Sequence, residues 1–177
     1  MTEKFAGLDD RRWRVSLEDA LLQHARIVSD LSVIASVDSA LYQHLLRGDR
    51  AREVIQLMPA RLHSIQNELD AAAMSGTESK LRVALCRAGL RVRSQVFIAG
   101  VGIVDLLVDD WLIIEVDSAK HHDKQVAQHR DRVRDGASVI GKWGYLRFDY
   151  ELVQSSLDWC VRVTVSRLES GRPVRTP

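Results

Sequence analysis

The sequence predicts an α/β fold in which a helical N-terminal region precedes a mixed β-sheet flanked by helices. Two observations predict this class: apolar residues recur at helical spacing over residues 10–73, and the apolar period changes from helical to extended after Gly89. The segment Ser75-Gly76-Thr77 lies between the two patterns, so we expect domains of residues 1–74 and 75–177. A chain of 177 residues, 46% of them hydrophobic, is long enough for one sizeable core or two small ones.

Three helices are expected in the N-terminal region. Ser16, followed by Glu18 and Asp19, predicts one helix start, because a serine hydroxyl can accept a hydrogen bond from the first turn. A second helix is expected over residues 37–46. The pair Gly48-Asp49 predicts a break, after which a helix resumes with one apolar stripe comprising Val54, Leu57, Met58, Leu62 and Ile65.

The second region shows the element order α-β-β-β-α-β-α. Thr77 is expected to cap its first helix, which ends at Gly89. Strands are expected over residues 91–98, 103–108, 111–116 and 145–148, and further helices over residues 122–140 and 150–168. The first three strands form a meander, and a right-handed helical crossover makes the third and fourth strands parallel neighbours.

Composition excludes several classes of protein. The longest uncharged apolar run, residues 111–114, is far too short to cross a bilayer, so no membrane span is expected. No apolar signal-peptide core follows Met1, so we expect a cytoplasmic protein. Cys86 and Cys160 lie in helix-like apolar patterns without the spacing of a zinc site or of a disulfide framework, and we expect both to be buried structural thiols.

The net charge of +1 conceals an uneven distribution along the chain. Charged residues are all basic over residues 80–93, all acidic over residues 105–117 and mostly basic over residues 120–134. An acidic centre between basic flanks suits a metal-dependent enzyme that cuts phosphodiesters, because carboxylates hold the cation while Lys and Arg hold the phosphates. On charge alone, a solvated surface is the favoured alternative.

Carboxylates interrupt two of the apolar strands. Asp105 lies within one strand, and Glu115 and Asp117 end the next, where residues two apart face the same way. Buried carboxylates need compensation, which a divalent cation supplies; the alternative is the solvated face of an edge hairpin. With a two-residue turn at Asp109-Asp110, Asp105 would face Ile114. A site shared with Glu115 therefore requires a three-residue turn or a bulge.

Six short segments follow one another along the second region: Thr77-Glu78-Ser79, Ile103-Val104-Asp105-Leu106, Ile114-Glu115-Val116-Asp117-Ser118-Ala119-Lys120-His121-His122, Arg130-Asp131-Arg132-Val133-Arg134-Asp135, Trp143 and Leu146-Arg147-Phe148. In order and spacing, residues 78–153 resemble the endonuclease-like family related to very-short-patch repair (Vsr-like) endonucleases, within the PD-(D/E)xK nuclease superfamily. The resemblance implies the superfamily core, in which α-β-β-β-α-β elements form a mixed sheet flanked by helices. The helical part before Glu78 resembles the divergent region that precedes the nuclease domain in longer relatives.

The resemblance also implies a set of catalytic residues. Asp105 and Glu115 match the pair that binds Mg²⁺, with Mn²⁺ as the alternative cation, and that activates a water molecule. Glu78 would orient a metal-bound water, although a helix dipole alone also explains a carboxylate in a first turn. Asp117 occupies the position where many nucleases of the superfamily carry Lys. His121 is then the candidate general acid or base near neutral pH.

The implied function is a metal-dependent DNA endonuclease that hydrolyses phosphodiester bonds, in DNA repair or in defence against foreign DNA. The side chains expected to contact the DNA are Lys80, Arg91, Arg93, Lys120, His122, Arg130 and Arg134. A homodimer would account for paired cuts on both strands. The alternative is a noncatalytic nucleic-acid-binding or regulatory module of a defence or toxin-antitoxin system, which is favoured by Asp117 in place of Lys and Ser118 in place of the usual Gly. The retained acidic residues argue against that alternative, because carboxylates repel phosphate.

Overall fold

The structure, a computed structural model, describes residues 15–117 and 143–171. The chain divides into two compact units between Ala71 and Ala72. The domain boundary expected after residue 74 stays a prediction. Within the described ranges, no helix is both long and apolar enough to cross a membrane.

Over residues 15–71 of the first unit, the structure describes three α-helices and one 3-10 helix: α1 (Leu17–Ile27), α2 (Asp30–Tyr42), α3 (Gly48–Gln56) and the 3-10 helix Ala60–Asn67. Its fully buried core includes Val33, Ile34, Val37, Ile55, Leu62 and Ile65. The expected cap at Ser16 is confirmed, because the Ser16 Oγ accepts a hydrogen bond from the Asp19 N–H at 3.0 Å. The helical character expected of this region is therefore present, with local differences in where each helix begins and ends.

The middle helix, whose ends the sequence left open, and the helix after Gly48 both differ in extent from the expectation. α2 begins at Asp30 rather than near residue 37, because Ser29 caps it. The helix expected to continue along the apolar stripe ends at Gln56 instead. Pro59 follows shortly afterwards, has no N–H to extend an α-helix, and directly precedes the 3-10 helix.

The second unit contains a four-stranded sheet with helices before and after it: α4 (Gly76–Arg87), β1 (Val92–Ile98), β2 (Gly102–Val108), β3 (Leu112–Asp117), β4 (Gly144–Asp149), α5 (Tyr150–Ser155) and α6 (Leu157–Gly171). The strand order is β1-β2-β3-β4. The first two pairs are antiparallel, and β3 and β4 are parallel. The expected α/β class, the meander and the parallel pair are confirmed. The helix expected over residues 122–140 lies outside the described residues.

The C-terminal helix expected over residues 150–168 is two helices. Ser156 separates α5 from α6, with φ −142° and ψ 42°, which is not a helical conformation. α5 begins directly after β4 because Asp149 Oδ1 accepts a hydrogen bond from the Leu152 N–H at 2.7 Å. The cap at Asp149 and the break at Ser156 are both short-range signals from polar residues, and the spacing of apolar residues alone does not reveal them.

Two apolar cores lie against the sheet. The helix-side core contains residues of α4, α5, α6 and the sheet, including Leu81, Leu85, Leu106, Val108, Ile114, Phe148, Val153 and Cys160. The second core contains Ile98, Val101, Val104, Leu107 and Ile113. Because consecutive residues of a strand point to opposite faces, Leu106 and Leu107 place the two cores on opposite faces of the sheet.

The two cysteines differ in their surroundings. Cys160 is fully buried in the helix-side core, as expected. Cys86 is exposed on α4, so the expectation that both thiols are buried is wrong for Cys86. It follows Leu85 by one residue, and a helix turns about 100° per residue, which carries the next side chain away from the core.

Candidate active site

The connection between β2 and β3 sets the position of the acidic residues. Residue pairing runs Leu106 with Ile114, Leu107 with Ile113 and Val108 with Leu112, so three residues form the turn. Asp109 and Asp110 both adopt left-handed backbone conformations there, with φ 49° and 56°. Aspartate is one of the few side chains that enters this region readily. The three-residue turn that a shared acidic site requires is therefore present.

Continued by one residue, the register of β2 and β3 would set Asp105 opposite Glu115. Pairing of β2 with β3 nevertheless stops one residue earlier, at Leu106 and Ile114. Beyond this point the carboxylate of Asp105 provides the acceptor, and its Oδ2 accepts a hydrogen bond from the Val116 N–H at 2.9 Å. A side chain thus accepts the hydrogen bond of a backbone N–H that has no partner in the β2–β3 ladder. This explains how an aspartate is accommodated within an apolar strand.

The β1–β2 ribbon reverses its faces at the level of Asp105. Val92 and Leu106 pack on the helix-side core, whereas Val96 and Val104 pack on the second core, although strict alternation would keep each pair on one face. The reversal coincides with Gln95, which has φ 51° and lies between the paired residues of β1. A left-handed conformation costs a non-glycine residue roughly 1 kcal/mol. The sheet is therefore locally strained beside the acidic residues.

Gln95 also connects Asp105 to a second carboxylate. Its Nε2 donates to Glu78 Oε2 at 3.0 Å and, over a longer distance of 3.4 Å, to Asp105 Oδ1. Gln95 is not among the site residues expected from the sequence. The available signal was symmetry: Gln95 and Asp105 lie equally far from Gly100 in the turn between β1 and β2.

Glu78 is fixed by the start of α4. Ser75, rather than the expected Thr77, caps this helix, and its Oγ accepts a hydrogen bond from the Glu78 N–H at 3.1 Å. The carboxylate of Glu78 reaches back, and its Oε2 accepts from the Met74 N–H at 3.1 Å. This reciprocal arrangement is close to a capping box, so the position of Glu78 has a structural explanation that does not require catalysis.

The surroundings of Glu78 disfavour its charged form. The side chain is only 5% exposed. Burial, and secondly the negative charge of Asp105, raise the pKa of the Glu78 carboxyl above its ordinary value, while hydrogen bonds from Ser75, Met74 and Gln95 partly oppose the rise. Glu78 and Asp105 therefore repel each other across the Gln95 amide.

The remaining two acidic residues lie on β3. Glu115 is buried, at 5% exposure, and is level with Arg147 of the parallel strand β4. Asp117 is half exposed, and its Oδ2 lies 3.7 Å from Arg147 Nε. Arg147 also stacks over the Tyr145 ring, 5.9 Å from the ring centroid. A guanidinium thus stands beside the β3 carboxylates.

Three of the predicted DNA-binding residues lie within the described ranges, in two different places. Lys80 is two residues after Glu78 in α4, and its Nζ donates to Gln154 Oε1 at 2.8 Å. Arg91 and Arg93 lie at the turn end of the sheet, where they form ion pairs with the turn aspartates. Because Asp109 is four residues beyond Asp105, Arg91 is roughly 13 Å along the strand from the acidic residues. The two arginines therefore lie away from the acidic residues, and the described contact of Lys80 is with Gln154 of α5.

The other predicted DNA-binding and catalytic residues are Lys120, His121, His122, Arg130 and Arg134, and all five lie outside the described residues, as does Ser118. Their roles stay predictions. Among the residues that the structure does describe, no group of three or more His, Cys, Asp and Glu side chains is arranged to hold a metal ion. The described arrangement is therefore two carboxylates, Glu78 and Asp105, that share the Gln95 amide, with Glu115 on the neighbouring strand β3.

Comparison of this chain with protein-family models, with curated proteins and with solved structures finds no match.

Proposed function

We propose that this chain is a metal-dependent DNA endonuclease of the Vsr-like, PD-(D/E)xK type, acting in DNA repair or in defence against foreign DNA. The observation that supports the proposal is the three-residue turn, because its register, continued one residue beyond Leu106 and Ile114, would set Asp105 opposite Glu115. A two-residue turn would have put these carboxylates on opposite faces of the hairpin. The register is the one that the proposed site needs.

The carboxylates are suited to a divalent cation. Mg²⁺ is commonly held by one or two protein carboxylates, with water and phosphate oxygens completing its coordination. Asp105 and Glu115 would provide this pair, for Mg²⁺ or for Mn²⁺. The repulsion between Asp105 and Glu78 also fits a site that gains from a nearby positive charge. When bound, the cation would lower the pKa of a water molecule and polarise the scissile phosphate.

The protein side chains have separate tasks in this proposal. Asp105 is held in place by the Val116 N–H, so its orientation does not depend on solvent. Glu78, whose pKa is raised by burial and by the charge of Asp105, would orient a water molecule at the site. Asp117 pairs with Arg147, which would keep a positive charge beside the phosphate that a Lys supplies in related nucleases.

DNA contacts would come mainly from the neighbourhood of Lys80 and from the basic stretch over residues 120–134. Arg91 and Arg93 already pair with Asp109 and Asp110, so their charges are largely balanced in the folded chain. A net charge of +1 also implies modest nonspecific affinity for DNA. Tight binding would then need a homodimer, a partner or a particular DNA structure.

The decisive experiment is cleavage of plasmid, nicked, branched and mismatched duplex DNA in Mg²⁺, Mn²⁺ or EDTA. Asp105→Asn and Glu115→Gln should each lower the rate by more than about 100-fold, because each removes a carboxylate that the cation needs. The matched controls are Asp158→Asn and Glu169→Gln, two exposed acids of α6 that should cut like the wild type.

The outcomes separate the two candidate functions. Metal-dependent cleavage that is lost in both site variants and kept in both controls supports the nuclease. Binding of DNA without cleavage in any metal, unchanged or improved in Asp105→Asn, would instead favour a noncatalytic nucleic-acid-binding module, because removing a negative charge strengthens phosphate binding.

A further inference from the structure

We propose that Gln95 is the positioning residue of the acidic site, holding Asp105 and Glu78 in the arrangement that receives a divalent cation. The inference rests on the proposed nuclease function and deepens it. It assigns a task to a residue that lies on β1, outside the strands and the helix that carry the acidic residues.

The contacts of Gln95 are the first support. A primary amide has two N–H donors, and the Gln95 amide directs one nitrogen toward carboxylates of two different elements, α4 and β2. Asp105 is then held on both oxygens, by Gln95 at Oδ1 and by the Val116 N–H at Oδ2. Each carboxylate oxygen accepts about two hydrogen bonds or ligands, so both oxygens keep capacity for a cation.

The backbone of Gln95 is the second support. Glutamine gains no side-chain advantage from φ 51°, unlike the aspartates of the β2–β3 turn. Backbone strain of this kind persists where the surrounding structure requires it, and it concentrates at functional sites. Here the strained residue is also the one whose side chain meets both acids.

The chemistry of the amide is the third support. Two neighbouring carboxylates repel each other, and a donor between them relieves that repulsion. A Lys or Arg at this position would relieve it more strongly but would compete with a cation for the same oxygens. A neutral amide orients the carboxylates and leaves their net charge available to the metal. Hydrogen bonds of this kind typically change metal affinity by about 10–100-fold.

The first test measures cation binding by the full chain without DNA. Titration calorimetry with MnCl₂ should give a Kd about tenfold higher for Gln95→Met than for the wild type. This substitution keeps the side-chain length and removes the N–H donor. Gln95→Gly removes the same donor and relieves the backbone strain, so it should lose affinity equally. Gln66→Met, which removes an amide from the 3-10 helix of the first unit, should match the wild type. Wild-type affinity in Gln95→Gly would overturn the proposal, because it would assign the effect to the backbone.

The same variants separate binding from chemistry in the cleavage assay. The metal concentration for half-maximal cleavage should rise about tenfold in Gln95→Met, while the rate at saturating metal stays within about threefold of the wild type. A large fall in the saturated rate with unchanged metal dependence would overturn the positioning role, since a residue that acts through Asp105 alters the metal requirement first.

The last test does not depend on metal or DNA. Hydrogen exchange of the Val116 amide, whose acceptor is Asp105, should be about tenfold faster in Gln95→Met than in the wild type, with the Ile113 amide as internal reference. Unchanged exchange at Val116 would overturn the role of Gln95 and leave the nuclease proposal standing. Wild-type protein that neither binds Mn²⁺ nor cuts DNA would overturn the nuclease proposal and the cation part of this one, even where the exchange result holds.

Discussion

The carboxyl group of Glu78 has different surroundings in the folded chain and in the unfolded chain. Its pKa is raised in the folded chain, so the folded state binds a proton more tightly than the unfolded state does. Below the ordinary pKa of 4.5 the group is protonated in both states and has no effect. As the pH rises from 4.5 through the raised pKa, the free energy of unfolding falls. Above the raised pKa, Glu78 is ionised in both states and the folded chain is destabilised by the full amount.

Glu78→Gln should therefore make the folded chain more stable at neutral pH. The amide carries no charge, and its oxygen can accept the two hydrogen bonds that Glu78 Oε2 accepts from Met74 and Gln95. Urea unfolding from pH 4 to pH 8 should show a difference that is small at pH 4, grows as the pH rises and then levels off. Glu169→Gln is the control, and parallel curves for wild type and Glu78→Gln would contradict the assignment.

The start of α4 gives a prediction at the scale of one element. Ser75→Ala should lower the free energy of unfolding by about 1 kcal/mol, because it removes the acceptor of the Glu78 N–H. Thr77→Ser is the comparison: Thr77 lies inside the helix rather than at its cap, and Ser keeps the hydroxyl that faces Gln154. Chemical denaturation measures the free energy of unfolding of the three proteins, and a Ser75→Ala variant as stable as the wild type would show that the cap is misassigned.

The β2–β3 turn gives a second prediction at this scale. Asp110 has φ 56°, so Asp110→Gly relieves a conformation that Asp110→Ala retains. Both substitutions remove the same exposed ion pairs with Arg91 and Arg93, and those pairs cancel in the comparison. The free energy of unfolding should be about 1 kcal/mol higher for Asp110→Gly than for Asp110→Ala. Equal stability would indicate that the turn relaxes to another conformation.

The strands were predictable from sequence because short-range signals agree there. Residues 103–108 form an apolar run bounded by Gly102 and Asp109, and the structure has β2 at Gly102–Val108. The sequence also indicated that a site shared by Asp105 and Glu115 needs a three-residue turn or a bulge, and the turn between β2 and β3 has three residues. Patterns of this kind depend on residues close together in the sequence.

The parts that sequence reasoning missed depend on contacts between distant residues. Nothing in the neighbourhood of Gln95 indicates a left-handed conformation, which arises where two strands exchange faces beside α4. The cap of α4 was assigned to Thr77 because both Ser75 and Thr77 are good caps, and only the folded backbone selects Ser75. The break at Ser156 is different in kind, because it is a local polar signal within an apolar period that would support one continuous helix.

At the scale of the whole molecule, the proposed cation site should couple to folding. A ligand that binds only the folded state stabilises it by about 2.7 kcal/mol at a concentration 100 times its Kd. Thermal unfolding in saturating Mg²⁺ should therefore occur at a higher temperature than in EDTA. Asp105→Asn should lose this shift, and Glu169→Gln should keep it. Identical melting of the wild type in both buffers would argue against a structured cation site.

The unequal burial of the two cysteines gives the molecule a built-in reporter of its own opening. Cys86 is exposed on α4, whereas Cys160 is fully buried and burial raises the pKa of its thiol. The chain has no other cysteine. A thiol reagent should thus react once with the folded chain and a second time only when the helix-side core opens, so the rate of the second modification measures how often α6 leaves the sheet.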